Sequence, residues 1–177
     1  MKNSKTRTMA ITAMFTALIT VLTAYFQIKT VNSGYIHFGD SMIYLASCIL
    51  PPPFAVFASS AGGALADILS GAAVWAVPTA IIKALNTIPF LVTVKILRKK
   101  GKDGNIITKE TVAMAIVSGI ITIAGYWLAE GLMFGFAAAT VAGFLRGLVQ
   151  PAGSAVLFYG VGMALDKAKF KSMVAGH

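Results

Sequence analysis

The sequence predicts an all-α polytopic membrane protein with six transmembrane helices and both termini in the cytoplasm. Two bulk properties favour this class: 57% of the 177 residues are hydrophobic and only 12% are charged, with a mean hydropathy of +0.79. A soluble domain carries about 25% charged residues, so this chain has too few to cover a water-facing surface. Its apolar runs recur along the whole length, which a cleaved signal peptide would not explain.

The apolar runs divide into six predicted helices. A bilayer core about 30 Å thick needs about 20 helical residues to cross it. The second run is short unless it begins near Phe38, and the three prolines after it mark a turn because proline cannot continue a helix. We expect a single domain over residues 1–177, a cytoplasmic loop at about 98–110 and a kink in the last helix at Pro151. The runs are Met9–Ile28, Ser41–Leu50, Phe54–Leu69, Val77–Leu97, Val112–Met133 and Ala137–Leu165.

The distribution of basic residues sets the predicted orientation. The net charge is +9, and twelve of the fifteen basic residues lie in three clusters that border apolar runs. Six crossings place all three clusters on one side, as the positive-inside rule requires. This pattern favours anchoring beside anionic lipid over binding of nucleic acid. The clusters are Lys2, Lys5 and Arg7; Lys95, Arg98, Lys99, Lys100, Lys102 and Lys109; and Lys167, Lys169 and Lys171.

Four charged residues lie inside apolar segments: Asp67, Lys83, Glu130 and Arg146. A charge at mid-membrane costs about 2.5 to 3.5 kcal/mol even on lenient insertion scales. In the predicted topology all four lie in the outer half of the membrane, whereas unrelated structural ion pairs would not need to share a depth. We therefore expect them to face a common polar interior.

Polar neighbours at helical spacing extend these charges into stripes. Residues three or four apart share a helix face, and an aromatic rim surrounds the predicted outer end. The pattern predicts an outward-facing pocket for a small polar solute with an aromatic ring. The candidate substrate-binding residues are Tyr35, His37, Asp40, Asp67, Trp75, Lys83, Asn86, Tyr126, Trp127, Glu130, Arg146 and Gln150.

Structural roles remain open for several of these residues. Asp67 can pair with Lys83 and Glu130 with Arg146 simply to neutralise each other. Trp75 can belong to an interfacial aromatic belt, and His37 can be an ordinary loop residue. No Cys/His cluster has metal-ligand spacing, so no metal site is expected.

The first predicted helix carries a second candidate surface. Ala10, Ala13 and Ala17 recur at spacings of three and four, and small residues on one stripe let another helix approach closely in lipid. The stripe can pack against a helix of the same chain or dock another membrane subunit. No nucleotide-binding loop occurs in the sequence, so ATP-driven transport would need a partner.

Five pieces, in this order, resemble one known family: the Ala-x-x-x-Ala of Ala13 to Ala17, then "YIHFGD", "GGALADILSG", "PTAIIKALN" and "GYWLAEGLMFG". The chain resembles the substrate-binding S component of an energy-coupling factor (ECF) vitamin transporter, and looks most like the branch with hydroxymethylpyrimidine and pyridoxine carriers. The resemblance implies a bacterial plasma-membrane protein with a ligand site near the extracellular side, and Ala13 and Ala17 facing a transmembrane coupling protein.

The same resemblance implies that this chain binds no cofactor. ATP would be hydrolysed by two partner ATPase subunits, and the S component would topple in the membrane to carry its loaded site to the cytoplasm. The rival hypothesis from another class is a stand-alone secondary transporter with Asp67 or Glu130 as a proton or cation site. A membrane enzyme is disfavoured, because the sequence has no nucleophile elbow, metal cluster or phosphate loop.

Overall fold

The computed structural model describes residues 2–29, 35–136 and 148–175, and their architecture is helical with one short β ribbon. A two-stranded antiparallel ribbon and a 3₁₀ turn, Ala73–Trp75, interrupt the helices. The helices and strands are α1 (Lys2–Ala24), β1 (Gln27–Lys29), β2 (Tyr35–His37), α2 (Gly39–Ile49), α3 (Pro52–Leu69), α4 (Ala76–Lys99), α5 (Lys109–Phe134), α6 (Val149–Lys167) and α7 (Phe170–Ala175).

Four helices in the described part of the chain are long and apolar enough to cross a membrane: α1, α3, α4 with its preceding 3₁₀ turn, and α5. The sixth predicted run is described only from residue 148 onward, because residues 137–147 lie outside the described ranges. Pro151 is the third residue of α6, where a missing backbone N–H is tolerated. The six-span topology and the cytoplasmic termini therefore remain predictions.

The boundaries of two predicted elements need correction. The first helix ends at Ala24 instead of Ile28, because Gln27–Lys29 pairs with Tyr35–His37 as the β ribbon. The three prolines do more than mark a turn, since Pro52 and Pro53 form the first residues of α3. Proline suits this position because the first N–H groups of a helix have no partner within it.

The short helix α2 is enclosed by protein. It has 11 residues and therefore spans about 16 Å, roughly half of a bilayer core. Every residue from Gly39 to Cys48 is buried, and α2 contacts α1, α3, α4 and α6. The second apolar run is thus an internal helix, surrounded by the longer ones.

Small residues let α3 pack tightly between α1 and α4. A Cβ added at Gly62 would lie 2.8 Å from Ile19 of α1, and one at Gly63 would lie 2.9 Å from Lys83 Cγ of α4. Thr20 Oγ1 also donates to the Gly62 carbonyl across the α1–α3 contact, at 3.1 Å. The consecutive glycines thus remove bulk from two sides of α3.

An aromatic cluster occupies the core beside α2. Tyr44 of α2 stacks on Phe90 of α4 with ring centroids 4.8 Å apart, and Phe158 of α6 meets both rings edge-on at 5.8 and 5.4 Å. Such geometries are favourable for aromatic rings beyond the area they bury. The cluster joins α2, α4 and α6, and its α2 member, Tyr44, lies one helical turn after Asp40.

The loop between α4 and α5 is fastened to the end of α6. The Asp166 carboxylate accepts the backbone N–H groups of Ile106 and Ile107 at 2.6 and 2.9 Å. Thr108 then caps α5 by accepting from the Thr111 N–H at 3.1 Å, which satisfies a donor that the first helical turn would leave free. The connection is therefore ordered by hydrogen bonds to α6 and α5.

Candidate functional site

A buried ion pair joins α2 to α4. Lys83 Nζ lies 2.5 Å from Asp40 Oδ1, and the two side chains are 1% and 0% exposed. Asp40 is the second residue of α2, where the positive end of the helix dipole favours a carboxylate. Because two charges removed from water need further hydrogen bonds to offset their desolvation, the surroundings of this pair matter.

Gln150 of α6 supplies one such bond. Its Nε2 donates to Asp40 Oδ2 at 3.1 Å and lies 2.5 Å from His37 Nε2. One amide group can donate to both when Nε2 is the unprotonated ring nitrogen of His37. Burial lowers the pKa of His37 to about 4, so the ring is neutral near pH 7. Ser154, one turn after Gln150, donates to the His37 carbonyl at 3.2 Å.

Aromatic residues of α5 and the 3₁₀ turn cover the other side of Lys83. The Lys83 Nζ lies 5.3 Å from the centroid of the Tyr126 ring, within cation–π range. The Tyr126 hydroxyl shares a 2.9 Å hydrogen bond with Thr79. Trp75 packs on Tyr126 and Phe134 with centroids 6.0 and 5.8 Å apart. The ammonium group is thus held between a carboxylate and an aromatic face.

Asn86, one turn after Lys83, extends the polar interior. Its Nδ2 donates to Thr122 Oγ1 at 2.7 Å, and Ser118 Oγ donates to the Asn86 backbone carbonyl at 2.8 Å. The Asn86 side chain is fully buried. Within the described part of the chain, Asn86 Oδ1 and the buried Tyr44 hydroxyl have no hydrogen-bond partner.

The structure therefore brings six predicted residues into one cluster: His37, Asp40, Lys83, Asn86, Tyr126 and Gln150. Trp75 lies at its edge. These residues come from β2, α2, α4, α5, α6 and the 3₁₀ turn, and we refer to the seven together as the polar cluster.

Asp67 does not form the ion pair that the sequence allowed. Lys83 pairs with Asp40 instead, although Asp67 lies within electrostatic range of Lys83. Asp67 is half-buried near the end of α3, and its Oδ2 has no hydrogen-bond partner among the described residues. Ser70 donates to the Asp67 backbone carbonyl at 3.2 Å, and Thr79 of α4 interacts with the Asp67 side chain.

Four predicted residues remain: Trp127 and Glu130 on α5, Tyr35 in β2, and Arg146. Glu130 is partly buried on α5, and the ring of Trp127 packs against Phe136 with centroids 5.5 Å apart. Tyr35 is placed by its backbone in β2, opposite Lys29. Arg146 lies outside the described residues, so its predicted pairing with Glu130 is untested.

Sequence reasoning missed Tyr44, Ser118, Thr122 and Ser154, yet a signal for each was present. Tyr44 follows Asp40 by four residues and Ser154 follows Gln150 by four. Ser118, Thr122 and Tyr126 are likewise spaced by four along α5. Since residues four apart share a helix face, extending each polar stripe by one turn would have found them.

The predicted docking stripe faces away from the bundle. Ala10, Ala13 and Ala17 are all exposed on α1, whereas Thr12 and Thr20 on the same helix are buried. The alternative of a stripe packed within the chain is therefore wrong for these three alanines. Their contact with a partner remains a prediction. In the described ranges, no group of three or more His, Cys, Asp or Glu residues could hold a metal.

Comparison with known proteins places the chain in a family. It is 29% identical over 150 residues to an uncharacterized protein in a gap 3′ region of Pyrococcus woesei, an alignment covering 84% of this chain and 95% of the relative. The family model described as "ECF-type riboflavin transporter, S component" matches residues 3–168. The chain therefore belongs to the ECF-type riboflavin transporter S component family, and it is a transporter subunit rather than an enzyme.

Proposed function

We propose that this chain is the membrane-embedded, high-affinity binding subunit of an ECF-type importer for a small water-soluble vitamin or vitamin precursor with a flat heteroaromatic ring. Hydroxymethylpyrimidine and pyridoxine are the ligands that the sequence resemblance favours, and riboflavin is the one in the family description. All three combine ring nitrogen atoms with hydroxyl groups. The polar cluster is the observation that carries the proposal, because it pairs buried hydrogen-bonding groups with aromatic faces.

The ligand would exchange contacts with the ion pair. Asp40 can accept hydrogen bonds from ring amino or N–H groups, while Lys83 and the Gln150 amide can donate to ring nitrogen or oxygen atoms. Tyr126 and Trp75 offer aromatic surfaces beside Lys83, suited to stacking on a planar ring. Asp67, Trp127, Glu130 and Arg146 would act as outer contacts during entry.

The transport cycle would depend on partners. In this proposal the chain is one transmembrane substrate-binding domain that crosses a bacterial plasma membrane six times with both termini inside. It binds a transmembrane coupling protein through Ala10, Ala13 and Ala17, and two ATPase subunits hydrolyse the ATP. The exposure of all three alanines on α1 supports this docking face.

Ligand binding tests the proposal directly. Purified protein in detergent is titrated by calorimetry, without ATP, against riboflavin, hydroxymethylpyrimidine and pyridoxine. We expect one of them to bind tightly, and Lys83→Ala to weaken its binding by at least about 100-fold, as expected when one member of a buried charge pair is lost. Lys169→Ala, at an exposed lysine, is the control. Unchanged affinity in Lys83→Ala would reject this pocket.

Co-purification tests the docking face. Ala13→Trp and Ala17→Trp place bulk on the exposed stripe, so we expect the coupling protein and ATPases to be lost while ligand binding by the isolated chain persists. Ile116→Trp, at an exposed site on α5, controls for a bulky lipid-facing residue. Retention of the partners by both alanine variants would exclude this face.

One observation favours a second candidate function, a stand-alone transporter driven by protons or cations. The unpartnered Oδ2 of Asp67 is a carboxylate oxygen that a proton or cation could occupy. Uptake by cells lacking the ATPase partners, abolished by a protonophore and by Asp67→Asn, would support this candidate. Uptake that requires the ATPases would eliminate it.

A further inference from the structure

Two buried polar atoms on residues one turn beyond Asp40 and Lys83 have no hydrogen-bond partner among the described residues. These are the Tyr44 hydroxyl and Asn86 Oδ1, both on fully buried side chains. Buried polar groups in folded proteins nearly always have partners, and each exception calls for an explanation. The residues themselves are otherwise well held, Tyr44 by stacking on Phe90 and Asn86 by donating to Thr122.

The helix registers place the two residues at a similar distance from the ion pair along their helices. Tyr44 follows Asp40 by four residues on α2, and Asn86 follows Lys83 by three on α4. Asp40 is in contact with Lys83, and Tyr44 stacks on Phe90 further along α4. Both helices therefore run the same way from the ion pair, and Tyr44 and Asn86 each lie about one turn beyond it. The Tyr44 hydroxyl also lies within electrostatic range of Asp40.

The chemistry of the two atoms is complementary to one functional group. A tyrosine hydroxyl can donate, and an amide oxygen only accepts. An alcohol has one donor and two acceptor sites, so a single alcohol group can accept from Tyr44 and donate to Asn86 at the same time. The rings of Tyr44, Phe90 and Phe158 close the space beneath.

We propose that Tyr44 and Asn86 form a subsite for an aliphatic hydroxyl group carried on the ligand's ring. This inference rests on the proposed function and deepens it: it assigns the hydroxyl-bearing arm of the ligand to Tyr44 and Asn86, so that the arm enters first. The ring parts the Asp40–Lys83 pair and takes over its contacts, while the hydroxyl group completes the hydrogen bonds of Tyr44 and Asn86.

Matched ligands with and without the hydroxyl group test this subsite. The pairs are pyridoxine and 4-deoxypyridoxine, hydroxymethylpyrimidine and its methyl analogue, and riboflavin and lumiflavin, each titrated by calorimetry. For the ring system that binds, we expect the hydroxylated ligand to bind at least about 10-fold tighter to the wild-type chain, because its absence leaves two buried groups unpaired.

Tyr44→Phe keeps the stacked ring and removes only the hydroxyl group. We expect it to weaken the hydroxylated ligand by about 10-fold and to leave the deoxy ligand unchanged, so that the preference falls toward one. Asn86→Leu should reduce the same preference from the other side. Tyr159→Phe, at an exposed tyrosine on α6, should preserve it.

The outcomes separate the two proposals. If a ring system binds but the wild-type chain does not prefer its hydroxylated form, the subsite is wrong and the proposed function stands. The same conclusion follows if Tyr44→Phe and Asn86→Leu both keep the full preference. If none of the three ring systems binds, the proposed function fails and the subsite falls with it.

Discussion

Asp40 and Asp67 are carboxylates of the same kind placed at opposite ends of their helices. Asp40 is the second residue of α2, fully buried and held by Lys83 and Gln150. Asp67 lies two residues before the end of α3 and is half-buried, and its Oδ2 has no hydrogen-bond partner within the described ranges. The helix dipole favours the first position and disfavours the second. The contrast shows that the helix end a carboxylate occupies goes together with how fully the protein supplies its hydrogen-bond and charge partners.

The largest expected effect is a difference in the free energy of unfolding between variants of the two carboxylates. Asp40→Asn leaves the buried Lys83 ammonium without its counter-charge and should lower the free energy of unfolding by about 3 to 5 kcal/mol. Asp67→Asn removes a charge from an unfavourable helix end, so we expect a change of less than about 1 kcal/mol. Thermal unfolding of both variants in detergent measures the difference. Equal losses would contradict the comparison.

A double-mutant cycle sharpens the assignment of the partner of Lys83. Lys83→Met combined with Asp40→Leu replaces the pair by apolar side chains, which is often close to neutral. We therefore expect a coupling energy of about 2 to 4 kcal/mol between positions 83 and 40, and less than about 0.5 kcal/mol between Lys83→Met and Asp67→Asn. A larger coupling with position 67 would reverse the assignment.

A substitution at Gly63 tests whether the close packing of α3 against α4 positions Lys83, independently of Asp67. A Cβ there would lie 2.9 Å from Lys83 Cγ and from Thr79 Cγ2, so Gly63→Ala should overpack the contact and cost about 1 to 3 kcal/mol. We expect ligand affinity to fall several-fold as Lys83 shifts. Gly160→Ala, where an added Cβ meets no atom within 4 Å, is the control, and an equal effect there would argue against a specific contact.

The smallest expected effect is a pH dependence confined to the surroundings of Asp40. His37 lies in the β ribbon, outside the four candidate spans. It faces Asp40 of α2, Lys83 of α4, and Gln150 and Ser154 of α6. Its pKa of about 4 is below the ordinary value of 6.5, so the unfolded chain takes up a proton first as the pH falls.

The contribution of His37 to stability is therefore fully present above about pH 6.5 and declines as the pH falls toward 4. We expect a loss of about 1 to 2 kcal/mol near pH 5 in the wild-type chain. Unfolding of His37→Gln over the same range should lose this part of the slope. An identical slope in both proteins would show that His37 is not buried as a neutral ring.

The helical class and most helix positions follow from hydropathy alone, because long apolar runs have few other solutions in lipid. The β ribbon was not predictable in the same way. No glycine or proline separates residues 27–29 from α1, and their strand pairing depends on residues 35–37, which local periodicity does not reveal. The burial of α2 on all sides is likewise a property of its neighbours.

Most residues of the polar cluster could be predicted from the sequence, but the carboxylate that pairs with Lys83 could not. Depth and spacing by three or four selected Lys83, Asn86, Tyr126 and Gln150 as residues that share a polar interior, and the structure brings them together. The same reasoning left open a pair between Asp67 and Lys83, because both lie at similar depth on consecutive helices. Depth does not encode the rotation of each helix about its axis, and that rotation directs Lys83 to Asp40.

Because α2 meets protein on every side, it is insulated from the surrounding lipid. The longer helices must adjust to bilayers of different thickness by tilting, but an 11-residue helix with no lipid-facing surface has no hydrophobic length to match. The position of Asp40 along the membrane normal is therefore set by its protein neighbours, and we expect the polar cluster to keep its geometry when the outer helices change their tilt.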